Sequence, residues 1–131
     1  MDGPRKRKAE GAYRILVAKT GTPLASRAVV ARGFLKRAWG LLGHRALPDG
    51  EAMVLPYCRS IHTCGMWFPI DAVFVDRDWR VVSVRGRIDP WNITWPIRGA
   101  WGVIELPSGT AEKHHIGIGE QLQLAQANAQ N

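Results

Sequence analysis

No stretch of the 131-residue sequence approaches the roughly 18 consecutive apolar residues that a membrane-crossing helix needs, so a helical membrane span is excluded. Cysteine is scarce: Cys58 and Cys64 are the only two, too few for a disulfide scaffold. The basic run Arg5–Lys8 is followed by only a short apolar piece, "ILVA". A secretory leader requires an apolar stretch of about 7–15 residues after its positive charges. The chain is therefore expected in the cytoplasm, with both thiols reduced. Acidic residues are also in deficit, 11 against 18 Lys and Arg, leaving a net charge of +7.

What is present amounts to one domain, long enough to bury a core of its own. Residues 1–12 read as a disordered basic tail, 13–124 as a single β-rich domain and 125–131 as a frayed polar end. "YRILVAK" and "LASRAVVAR" read as a hairpin across Thr20-Gly21-Thr22-Pro23. Leu35, Ala38, Trp39 and Leu42 recur at helical spacing, with Gly43 placed to stop the helix, and Pro48-Asp49-Gly50 forms a turn. After that turn come "AMVLP", "SIHTC", "IDAVFVD", "WRVVSVR", "AWGVIEL", "GTAEKHH" and "EQLQL", all with strand composition. Ile70–Val75 is apolar on both faces except at Asp71, as in a strand lying between two layers. The expected fold is mostly β: a compact, sandwich- or barrel-like domain with one short amphipathic helix packed on it.

The stretch "CRSIHTCGMWFPID", Cys58 to Asp71, concentrates the chemistry-bearing side chains. Cys58, His62 and Cys64 give C-x3-H-x-C, and an extended chain would put His62 and Cys64 on one face. A closed zinc site wants four ligands, the fourth here being His114 or His115, so this set is incomplete and no metal or cofactor is expected. A reactive thiolate at Cys64 beside His62, or at Cys58 beside Arg59, is the nucleophilic alternative, against the commoner role of cysteine as a small buried hydrophobe. Asp71 and Glu105 stand inside apolar strands, where a carboxylate must find partners, change its pKa or emerge at a cavity. His62 and Thr63 are natural partners for them. The irregular stretch "RIDPWNITWPIRGAW" places Trp91 and Trp95 either as stacking surfaces for a ligand or, as the plainer alternative, as plugs in the open end of the sheet.

In chain order, "WGLLGHRALPDGEAMVL", "SIHTCGMWFPIDAVFVDRDWRVVSV", "VIELPSGTA" and "GIGEQL" resemble the bacterial and archaeal family known as domain of unknown function 192, over roughly Val29 to Leu124. The most specific pieces are His62, Thr63, Met66, Phe68, Pro69, Ile70 and Asp71, and then Glu105, Leu106, Pro107 and Gly109. The resemblance implies a compact β-sandwich-like fold with a helix packed on it, and brings no established activity, cofactor or substrate. It does not require a cysteine at position 64.

Three functional readings follow. The leading one is a binding or accessory domain whose pocket is bounded by His62, Thr63, Asp71, Glu105, Trp91 and Trp95, with a small molecule or an extended protein segment as partner. The second is a hydrolase- or isomerase-type enzyme with His62 as general base and Glu105 or Asp71 as its partner. The third is nucleic-acid binding through the basic surface. The tail carries +2 of the +7, and the remaining arginines, from Arg14 to Arg98, are scattered rather than gathered in one stripe, which argues against it.

Overall fold

A computed structural model describes residues 13–31 and 47–126. Seven strands form one sheet: β1 (Tyr13–Val17), β2 (Pro23–Val30), β3 (Glu51–Pro56), β4 (Ile70–Val75), β5 (Val81–Ile88), β6 (Gly102–Pro107) and β7 (Leu122–Gln126). Their order across the sheet is β5-β4-β6-β3-β2-β1-β7. Between β6 and β7 lies one short helix, α1 (Thr110–Lys113). The expected helix around Leu35–Leu42 and the tail at 1–12 lie outside the described residues, as does the end from 127 onward, while β7 itself runs on to Gln126.

The expected hairpin is present as β1 antiparallel to β2, with Tyr13 opposite Ala28. Beside it, β2 and β3 run parallel, a pairing that needs a crossover of a dozen or more residues, which the 31–50 connection is long enough to supply. All other neighbours are antiparallel. The sheet curls until its two outer strands meet at one end. There Arg80 and Gln121 bridge, the Val81 amide donates to Glu120 O at 2.9 Å and the Leu122 amide to Trp79 O at 3.0 Å. The sandwich-or-barrel expectation thus resolves into a half-barrel made from a single sheet.

Central strands β4 and β6 are buried at every position. Two cores explain this, one on each face of the sheet. Val73, Val75, Ile104 and Leu106 face the interior of the curl, where they join Ile15, Leu24 and Leu122. Ala72, Phe74 and Val103 face outward onto Ile61, Met66, Phe68, Ile97 and Ala100, which belong to the two long connections before β4 and before β6. Those connections form a second layer over the sheet. A strand buried on both sides has no polar alternation to display, which is why Ile70–Val75 reads as nearly continuous apolar sequence.

Two expected strands take another form. "SIHTC" joins the outer layer rather than the sheet, and His62 makes an isolated bridge there to Ile93. Part of "GTAEKHH" becomes α1. Ala, Glu and Lys are all helix formers, but four residues are too few to show helical periodicity in sequence.

Gly102 marks the tightest approach between strands, since a Cβ there would stand 2.9 Å from the Leu55 carbonyl oxygen. Backbone cannot swing aside as a side chain can. Gly102→Ala is expected to lose about 1–3 kcal/mol of unfolding free energy in a urea titration, and an unchanged midpoint would show that β3 and β6 separate freely.

Candidate functional site

Thr63 pins the outer layer together. Fully buried, its hydroxyl donates to Asp89 O at 2.6 Å and accepts from the Asn92 amide at 2.9 Å. Around it the backbones of 59–63 and 91–97 run antiparallel: the Thr63 amide donates to Asn92 O (2.8 Å), Trp91 to Thr63 O (3.0 Å), Thr94 to Ile61 O (2.9 Å) and Ile97 to Arg59 O (2.8 Å). Thr94 Oγ1 accepts from the Ile61 amide at 3.0 Å, closing the inner side. These bonds make an irregular two-stranded ribbon across the outer face of the sheet.

Ile61 and Thr63 point in, whereas Trp91, Ile93 and Trp95 are 71%, 77% and 86% exposed. His62, the bridge partner of Ile93, is half-buried, and its Nδ1 accepts from the Cys64 amide at 3.3 Å. Trp67, four residues past Thr63, is 76% exposed. The two tryptophans singled out in the sequence therefore do not plug the sheet; they stand on its outer layer in solvent. Beside them a groove of about 580 Å³ runs between the β5 edge and the ribbon, lined by Arg85, Arg87, Asn92, Ile93 and Trp95 among others.

Asp71 lies elsewhere. Leu106 stands opposite it in the β4–β6 register, placing it on the interior face, whereas Glu105 stands opposite Ala72 and belongs to the outer face. The sheet separates the two carboxylates. At 1% exposure, Asp71 accepts the amides of Arg87 (2.9 Å) and Gly109 (3.1 Å) on Oδ1 and that of Ala111 (2.8 Å) on Oδ2. Gly109, the N-cap of α1, has no side chain with which to cap, so Asp71 caps the helix from another strand. The same carboxylate fixes Arg87 at φ 54°. It is a structural hub and no partner for His62.

Glu105 has no exposed surface and stands on the outer face of the sheet, the side that the second layer covers. The metal set is not assembled: among the described residues no three of His, Cys, Asp and Glu are grouped to hold an ion. The Cys58 thiol donates to Ser60 O at 3.1 Å, and both cysteines are free. His114 lines a different cleft, with Ser26 and Asp49. Of the six candidate pocket residues, the fold gathers His62, Thr63, Trp91 and Trp95 in one ribbon and leaves Asp71 and Glu105 out of its open face. Ile93, Arg85 and Arg87 were not singled out from sequence, although Ile93-x-Trp95 carries the period-two signal of an extended segment, with Trp91 at φ 65° in the turn before it; Trp67, which reads from sequence as core filling with Met66 and Phe68, instead stands in solvent while those two are buried.

Fold and site define a class: a small half-barrel whose central strands are covered outside by a two-ply loop layer bearing exposed aromatic residues. The chain belongs to the DUF192 family, described as "Uncharacterized ACR", whose model matches residues 15–124. It is 31% identical over 113 residues to a UPF0127 protein of Thermococcus sibiricus, covering 82% of this chain and 73% of that protein. Two solved structures share the fold. One, from Novosphingobium aromaticivorans and of unknown function, has a TM-score of 0.71 at 24% identity, covering 86% of this chain and 83% of that one. The other, a proposed transcription regulator from Sinorhizobium meliloti, has a TM-score of 0.70 at 19% identity, covering 86% and 92%.

Proposed function

We propose that the chain acts as a binding or accessory domain and that its recognition surface is the outer face of the ribbon, with Trp91, Ile93 and Trp95 as anchors and the Arg85–Arg87 groove beside them. The observation that carries this reading is the exposure of three large hydrophobic side chains within five residues, on backbone hydrogen-bonded to residues 59–63. Large exposed apolar clusters of this kind mark interaction sites. An aromatic anchor on a preorganised backbone loses little conformational entropy when it is covered. His62 sits within this surface beside Ile93, which gives it a contact role.

An anilinonaphthalene sulfonate dye, apolar at one end and anionic at the other, complements the pairing of tryptophan with arginine and tests the surface directly. Native protein is expected to raise the dye's fluorescence saturably, and Trp91→Ala/Trp95→Ala is expected to remove most of that rise while the melting temperature is preserved. Equal enhancement by both proteins would place the recognition surface elsewhere.

A further inference from the structure

Charge around the ribbon is one-sided. Residues 57–69 and 85–101 carry four arginines, Arg59, Arg85, Arg87 and Arg98, against one acidic residue, Asp89. The remaining described residues carry six basic and eight acidic side chains, so the positive balance of the described body lies in the layer that bears the exposed tryptophans. Arg59 and Ile97 are hydrogen-bonded neighbours, putting Arg59 and Arg98 at one end of the ribbon, while Arg85 flanks it along the β5 edge and Arg87 turns its guanidinium to Glu112 at 3.2 Å. The complementary partner is anionic and receives apolar side chains.

The shape of the surface narrows the choice. An extended peptide added to β5 would meet the irregular register between Arg85 and Ile88, where Arg87 leaves extended backbone at φ 54°, and such bulges with charged side chains blunt an edge against strand addition. A single-stranded nucleic acid needs flat rings on which successive bases stack, and here aliphatic Ile93 stands between the two tryptophans. A lipid headgroup layer has neither requirement. It takes indole rings at the interfacial level, admits an aliphatic side chain beneath them and offers phosphates to flanking arginines. We infer that this face docks on an anionic phospholipid bilayer, with Trp91, Ile93 and Trp95 entering the headgroup region and Arg59, Arg85 and Arg98 contacting phosphate. This rests on the ribbon being the recognition surface.

The test is co-sedimentation of the full chain with vesicles of equal parts phosphatidylcholine and phosphatidylserine, beside vesicles of phosphatidylcholine alone. Binding to the anionic vesicles, a blue shift of tryptophan emission and weakening as salt shortens the screening length are expected. Ile93→Ser with Trp95→Ala is expected to weaken binding roughly tenfold, and Arg85→Glu several-fold, with unchanged melting temperatures. Absence of binding to anionic vesicles at low salt overturns the inference, as does tighter binding to a single-stranded oligonucleotide. Binding unaltered in both variants also overturns it, since the basic run Arg5–Lys8 would then suffice. The dye separates the two readings: a ribbon that binds dye but no vesicle keeps its place as recognition surface and loses only the bilayer as partner.

Discussion

Asp71→Ala is expected to lower the unfolding free energy by about 3–6 kcal/mol, because it strands three amide donors, one buried and two part-buried, at a cost of roughly 1–3 kcal/mol each. The donors belong to Arg87, Gly109 and Ala111, and the carboxylate that serves them is 1% exposed, so water does not readily replace it. Against a typical domain stability of about 5–15 kcal/mol, the loss leaves the fold marginal. The ion pair between Arg87 and Glu112 at 3.2 Å does not compensate, since both side chains are largely exposed and such pairs contribute little. Asp71→Asn keeps one oxygen acceptor but turns an NH2 toward a donor, and is expected to fall between wild type and alanine. Guanidinium titration gives the magnitude, and native-state hydrogen exchange gives the place: the Arg87, Gly109 and Ala111 amides should lose protection before the rest of the sheet. A loss below about 1 kcal/mol would show that the hub is dispensable.

Thr63→Val comes second, at about 2–4 kcal/mol, and its effect is on the site as much as on stability. Valine matches threonine in shape but offers neither the donor for Asp89 O nor the acceptor for the Asn92 amide, so two part-buried polar groups lose their partner. Thr63→Ser, which keeps both bonds, is the control and should retain most of the stability. With the ribbon loosened, Trp91, Ile93 and Trp95 no longer share one preorganised face, and dye binding should fall in the valine variant under conditions where the sheet remains folded. Unchanged dye binding in folded Thr63→Val protein would mean that the ribbon's backbone bonds hold the face without the hydroxyl.

These two substitutions separate residues that look alike in sequence. Asp71 and Glu105 are both carboxylates inside apolar strands, and both invited the reading of a shared pocket with His62. Strand parity alone could not test that, because the relation between positions 71 and 105 depends on the β4–β6 register. With Ala72 opposite Glu105, the two lie on opposite faces of the sheet. Thr63 shows the converse case. Its place beside His62 in an apolar context marked it as a polar group needing partners, and its partners turned out to be backbone atoms 26 and 29 residues away.

Composition and local pattern determined that the chain is mostly β, that a hairpin opens the described part and that Ile70–Val75 is buried on both faces, while resemblance of its motifs to the family placed it in DUF192. These properties rest on interactions within a few residues or on a spacing the chain displays directly. Only the tertiary structure decided that the half-barrel is one curled sheet, that "SIHTC" lies over the sheet rather than in it, and that "TAEK" folds as a helix capped by a carboxylate forty residues earlier. It also decided that Trp91 and Trp95 face solvent while Glu105 does not. The physical reason is common to all of these: burial and hydrogen bonding are settled by which distant segments meet, and a single residue's chemistry is the same whichever side of the sheet it faces.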